Sequence, residues 1–230
     1  MTSVAITAAG RGLGLELVRH YAAGGDRVFA FCRNPAGRDE LQRIARDSGG
    51  RVTTHEMDIA SDASVAAGVA GIGDTPVDVL LNVAAIVGDA APELEVGSSN
   101  WENWQAVFNT VTIGPLRVIQ AFLPRLRAGD KVINVSSQVG TSMWLYGGTY
   151  AYGAAKAALN RMTLSLALDL APRGIIVGLI HPGWMNTDMG GPDAETKVEE
   201  SAAGIRRIVA DWPNDGQCHF RKWTGEPHVW

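Results

Sequence analysis

Cysteine is scarce in this sequence. Cys32 and Cys218 are the only two among 230 residues and have no CxxC spacing, which argues against a disulfide framework or a cysteine-based zinc site. Both read as free core thiols, each in its own strand. A surplus of positive charge is also lacking: 20 Lys and Arg face 24 Asp and Glu, a net charge of -4, so the broad positive field of a non-specific nucleic-acid binder is missing. No nucleic-acid partner is expected. No apolar run is long enough to span a bilayer, and the opening MTSVAITAAGRG enters an apolar strand without the charged start of a signal peptide. A cytoplasmic location with no membrane partner is therefore expected. None of the five histidines stands at metal-ligand spacing, so no metal is expected, and His181, just before Pro182, reads as structural.

What is present is an ordinary globular composition, 46% hydrophobic and 19% charged, without a repeat, linker or strongly polar tail. One folded domain over residues 1–230 follows. Short runs rich in Val and Ile alternate with longer stretches of helical period. This spacing predicts strands near 4–7, 28–31, 52–55, 79–83, 131–135, 175–180 and 217–220. Helices are predicted over 12–23, 38–48, 62–70, 101–126, 152–170 and 194–209. Ser61 and Asp62 offer oxygens to cap a helix start, and Ala171-Pro172-Arg173-Gly174 forms a stop. Alternating βα units with right-handed crossovers build an α/β, Rossmann-type doubly wound, predominantly parallel seven-stranded sheet with helices on both faces, whose ligands bind at the carboxyl ends of the strands.

The motifs fall at those ends. The first strand runs into Thr7-Ala8-Ala9-Gly10-Arg11-Gly12-Leu13-Gly14 and then an amphipathic helix, where backbone N–H groups and the helix dipole can hold a pyrophosphate. Glycine also serves strand-to-helix turns that bind nothing. After the second strand comes Cys32-Arg33-Asn34, with no carboxylate to bond a ribose hydroxyl. A guanidinium there suits a 2′-phosphate, so NADP(H) is favoured over NAD(H); two solvated arginines capping a loop are the plain alternative. Asp58 and Ile59 follow the third strand, and Asp58 otherwise simply caps a turn. Tyr152 and Lys156 lie four apart at the start of a helix and share a face, so the ammonium can favour the phenolate. The fifth strand ends in Ser136-Ser137, placing hydroxyls shortly before that helix.

Together these residues resemble the short-chain dehydrogenase/reductase family over essentially the whole chain. The resemblance implies that Ser137 hydrogen-bonds the substrate oxygen, Tyr152 exchanges the proton, and Lys156 orients the nicotinamide ribose while tuning Tyr152. It makes Thr7, Gly10, Arg11, Gly12, Leu13, Gly14, Arg33, Asp58, Ile59, Asn82, Ala84, Pro182, Gly183 and Thr187, with Tyr152 and Lys156, the cofactor-binding set. Gly147-Gly148-Thr149-Tyr150-Ala151-Tyr152, the run from Trp184 to Pro192, and Trp230 resemble the C-factor and sniffer-type carbonyl reductases. An NADP(H)-dependent interconversion of a carbonyl compound and its alcohol is the implied activity; a non-catalytic dinucleotide-binding protein is the alternative. Two departures motivate that alternative: Ala8 replaces a family glycine, and Val111 stands where most members carry an asparagine that supports a water-linked proton relay; Ala85 also replaces a family glycine. Asn109 lies two positions off, on nearly the opposite helix face, and Thr112 offers the nearest hydroxyl. Trp144 and Trp184 fall in loops beside the site, where they either favour a small hydrophobic or aromatic substrate or pack as core or lid. The helix of Tyr152 carries Ala154, Ala155, Ala158, Leu159, Met162 and Leu166, an apolar surface for internal packing or a second subunit. The resemblance implies a homodimer or homotetramer.

Overall fold

The computed structural model describes residues 1–88, 100–145 and 147–230. Seven strands, β1 (Ser3–Ile6), β2 (Arg27–Cys32), β3 (Val52–Glu56), β4 (Val79–Asn82), β5 (Lys131–Val135), β6 (Ile176–His181) and β7 (Phe220–Lys222), form one sheet in the order β3-β2-β1-β4-β5-β6-β7. Each strand pair is parallel. The helices are α1 (Gly12–Ala23), α2 (Asp39–Asp47), α3 (Asp62–Ala70), α4 (Trp101–Phe108), α5 (Gly114–Phe122), α6 (Tyr150–Leu170) and α7 (Val198–Ala210).

The near-continuous apolar strands suit a sheet covered on both faces. Alternation sends Val28, Ala30 and Cys32 of β2 to a core with Leu17 and Val18 of α1 and Ile205 of α7. Phe29 and Phe31 point the other way, into a core shared by Val65 of α3, Val118, Ile119 and Phe122 of α5, and Ala167 and Leu170 of α6. The chain changes direction across the sheet between β1 and β4, and the crevice at that switch point is where ligands of such sheets bind.

Four expectations need correction. The predicted strand 217–220 is β7 and starts only at Phe220, where pairing with Leu179 begins; Gln217 and His219 are instead held in a turn by the Asp215 carboxylate. Cys218 therefore precedes the strand rather than lying in it. The predicted helix from 194 starts at Val198, because Thr196 bridges Met185 and Asn186 accepts the Val198 N–H at 3.0 Å. The predicted helix 101–126 is broken: a π turn, Asn109–Ile113, separates α4 from α5, and a 3-10 turn, Leu123–Arg125, follows. That run, Trp101–Arg125, is by length and composition apolar enough to cross a membrane, against expectation; here Val118, Ile119 and Phe122 are fully buried in the core beneath the sheet.

Candidate active site

The turn after β1 is tied down before it reaches any ligand. The Thr7 hydroxyl accepts the Val83 N–H at 2.9 Å and the Ala84 N–H at 3.4 Å, binding the ends of β1 and β4 together. Thr7 thus acts within the protein, and Ala84 is placed by it. Ala8 has φ +54°, the left-handed region that costs a non-glycine residue about 1 kcal/mol or more. α1 packs closely on this turn: a Cβ at Gly14 would lie 2.3 Å from the Ala8 carbonyl oxygen. Arg11 precedes α1 in extended conformation and no side chain caps the helix, leaving first-turn N–H groups for an anion. Its guanidinium meets the Asp188 carboxylate at 3.3 Å, with both side chains exposed.

One basic residue at this end escaped the sequence reading. Arg38, immediately before α2, lies across Gly10: a Cβ there would sit 3.1 Å from Arg38 Cγ and 3.2 Å from Cys32 Sγ. Arg33 and Arg38 are both exposed, so β2 ends beside two guanidinium groups. Position 38 looks like an ordinary helix start, which is why local pattern hid it. Beyond β3, Asp58 accepts the Ala60 N–H at 2.9 Å and shapes its own turn. Arg117 donates to the Ile59 carbonyl at 2.7 Å, and Asn109 donates to the Ala60 carbonyl at 3.3 Å. Arg117 also donates to Asn109 Oδ1 at 3.3 Å, so Asn109 supports the loop after β3 and is not available at the Tyr152 end.

At the carboxyl end of β5 the two serines separate cleanly. Ser136 donates to Asn160 Oδ1 at 2.5 Å, and Asn160 donates to the Gly140 carbonyl at 3.1 Å. Ser137 instead stands beside the Tyr152 phenol and lowers its pKa, while its oxygen accepts the Val139 N–H at 3.3 Å. A Cβ at Gly140 would lie 2.7 Å from Lys156 Cβ, so this glycine lets the Ser137 turn press against α6. Asn82 donates to Asn134, which donates to Thr163, both at 2.9 Å, so a buried polar chain links β4, β5 and α6. Asn82 is thus part of the sheet's internal bonding.

Lys156 is 1% exposed, its Nζ donates to the Val135 carbonyl at 2.6 Å and lies 5.7 Å from the Tyr152 ring centroid. Burial lowers its pKa from the ordinary 10.5 to about 7. Burial raises Tyr152 to about 12, opposed by the hydrogen bond from Ser137. Both groups are therefore biased toward their neutral forms. The two non-glycine residues with positive φ among those described are Ala8 and Thr149, the latter at +48° just before α6, so backbone strain brackets the site. Val111 is fully buried with Ala151 and Ala155, against Ala85 and Tyr152. Thr112 cannot replace the missing amide, since its hydroxyl donates to the Ala155 carbonyl at 2.8 Å.

A cavity of about 360 Å³ joins these parts, reaching from Ala8, Arg11, Gly12, Leu13 and Gly14 past Pro182 and Thr187 to Tyr152 and Lys156. Gly183, at φ +86°, turns the chain beside Pro182. Of the residues expected at the site, Ser137, Thr7, Gly10, Arg33, Asp58, Ile59, Asn82, Ala84 and Gly183 do not line it, whereas Ser136 does. Its apolar wall at the β6 loop comes from Met185 and Met189, with neither Trp144 nor Trp184 among the lining residues. Trp184 is pinned to its own loop by donation to the Gly190 carbonyl at 2.8 Å. Thr187 puts its methyl 3.6 Å from where a Gly12 Cβ would be, facing the turn across the cleft.

Sequence and structure comparisons agree with this fold. A family profile described as short chain dehydrogenase matches residues 2–198. The C-signal protein of Myxococcus xanthus is 37% identical over 158 residues, covering 67% of this chain and 93% of that protein. A carbonyl reductase of Pseudomonas aeruginosa PAO1, solved in complex with NADP, is 33% identical with a TM-score of 0.90. The carbonyl reductase Sniffer of Drosophila melanogaster is 31% identical with a TM-score of 0.89. Both solved structures match over 100% of either chain.

Proposed function

The chain belongs to the short-chain dehydrogenase family, and from that premise we propose that it is an NADPH-dependent reductase of aldehydes or ketones, working as a single domain over residues 1–230. The observation that carries the reading is a cleft that runs from a glycine turn at a helix start to Tyr152 and Lys156, with Ser137 beside the Tyr152 phenol. The cleft fits a phosphorylated dinucleotide: α1 presents an uncapped first turn, Gly12 and Thr187 leave the turn open to the cavity, and Arg11, Arg33 and Arg38 supply positive charge. NADPH, once bound there, supplies the hydride.

The residues supply the proton and the alignment. A substrate oxygen takes hydrogen bonds from Ser137 and Tyr152, and the phenol donates its proton as the oxygen becomes an alkoxide. Burial keeps that phenol protonated at neutral pH, the form in which it donates the proton. Lys156, charged, stabilises the phenolate that results. Met185 and Met189 form an adaptable apolar wall for a hydrophobic substrate. Assembly as a homodimer or homotetramer belongs to the same reading, and light scattering measures it directly.

One observation favours a second reading, cofactor binding without turnover. Val111 fills the relay position with buried hydrocarbon, packed with Ala151 and Ala155 against Tyr152. A fluorescence titration with NADPH followed by a panel of hydrophobic carbonyls decides between the two. Turnover that falls at least about 10³-fold in Tyr152→Phe, with NADPH binding retained, supports the reductase. Binding with no oxidation of NADPH by any carbonyl supports the second reading.

A further inference from the structure

We propose that residues 226–230 form a strap that positions the Ser137 turn, with His228 as the positioning residue acting through His181. The kinetic part of this inference rests on the reductase reading above; the structural part does not.

The strap is built by pairing and stacking. Residues 226–230 fold back along β7: Lys222 donates to the Glu226 carbonyl at 2.8 Å, His228 donates to the Phe220 carbonyl at 2.7 Å, and Arg221 bridges Pro227 in antiparallel fashion. The His228 ring stacks on Phe220, with centroids 4.6 Å apart and planes 14° from parallel. Trp230 meets the same Phe220 ring at 5.9 Å. This aromatic seat fixes where His228 stands.

From that seat the strap touches both ends of one turn. His228 meets His181 edge-on, at 5.1 Å and 89°. His181 Nδ1 accepts the backbone N–H of Gln138 at 3.3 Å, and Gln138 directly follows Ser137. At the far end of the same turn, Ser142 donates to the Trp230 carbonyl at 3.3 Å. Ser137, one residue before the first of these ties, stands beside the Tyr152 phenol. The bond to Gln138 requires His181 to be neutral, with its proton on Nε2, and to keep its ring orientation. Burial first, then the charges of His228, Lys222 and Lys156, hold His181 far below the usual histidine range, at about 3. His228 packed against the ring restrains its rotation. Without that contact, His181 can turn Nδ1 away and the Gln138 N–H loses its partner, so the Ser137 hydroxyl loses its fixed aim.

The test compares His228→Ala and His228→Phe with the unchanged protein, reading amide exchange at Gln138, kcat and KM for a carbonyl that is turned over, and the NADPH dissociation constant. The expected pattern for His228→Ala is exchange at Gln138 faster by about tenfold and kcat lower by about tenfold, with NADPH binding unchanged. His228→Phe keeps the ring and restores both. Ser142→Ala, which removes the other tie without entering the core, gives the same pattern at about threefold and serves if His228→Ala does not fold. Native Gln138 protection and native kcat in His228→Ala would overturn the strap, as would failure of His228→Phe to restore them while the sheet stays protected. If no carbonyl is reduced by the unchanged protein, the reductase reading falls and Gln138 exchange alone decides the strap.

Discussion

At the β5–β6 end of the cleft the polar groups are buried and bonded to one another: Ser136 to Asn160, Asn82 to Asn134 to Thr163, Lys156 to the Val135 carbonyl, Gln138 to His181. At the β1–β2 end the charged groups are more exposed: Arg11 pairs with Asp188 through side chains 62% and 82% exposed, and Arg19 pairs with Glu16 and Glu40 on the flanking helices. The first arrangement fixes geometry before any ligand arrives, and in a low-dielectric setting each bond is both strong and costly to break. The second can only bias binding, because exposed charges are screened and hold one another weakly. Proton transfer needs fixed geometry, whereas phosphate recognition tolerates side chains that settle onto their ligand.

Substitutions at the two ends should therefore differ in kind as well as size. The largest effect is expected from Lys156→Met, which removes the buried ammonium. We expect kcat to fall by about 10²-fold with the sheet intact, read by steady-state kinetics and circular dichroism. The same variant carries a pH signature. In the folded, cofactor-free protein Lys156 titrates near 7 instead of the ordinary 10.5, so between those values the unfolded chain holds the extra proton. Stability from this group rises with pH across that window and is lost as pH falls back through 7. The difference in denaturation midpoint between the protein and Lys156→Met should track that rise, and parallel curves would show the ammonium is not desolvated.

Next in size is the pair Arg33→Ala and Arg38→Ala. Each should weaken NADPH binding by about tenfold, reduce its salt dependence and leave NADH binding nearly unchanged. Equal losses for the two nucleotides would place the arginines away from a 2′-phosphate. The smallest effect is expected from Ala8→Gly, which relieves the positive φ but gives the unfolded chain more freedom. A net gain of about 0.5–1 kcal/mol should appear in urea denaturation, with kcat unchanged. A loss of stability would mean that the turn does not hold Ala8 in the left-handed region. A large change in kcat would break the contrast between the two ends, because it would make the phosphate turn a determinant of proton-transfer geometry.

Much of this contrast was legible before the fold was known. The bounds of α1, α3 and β5 follow from local pattern, and Ser61 caps α3 by accepting the Ser64 N–H at 3.3 Å. The π turn left a signal that periodicity alone passes over: Pro115 has no N–H, so a helix running through it must lose a bond. Other features left no local trace. Thr196 is as compatible with a helix as with the bridge to Met185 that it makes. Gln217, Cys218 and His219 look like the start of a strand until the register with β6 places Phe220 first.

The sequence by itself determined the alternation of strand and helix, the glycine turn at a helix start, and the shared face of Tyr152 and Lys156. Each is a matter of spacing within a few residues, where 3.6-residue and two-residue periods act directly. Only the tertiary structure decided that Ser136 bonds Asn160, that Arg38 lies over Gly10, that Asn109 serves the loop after β3, and that His228 reaches His181. Those pairings join residues distant in sequence or choose between adjacent side chains, and sheet order, register and close packing settle them together.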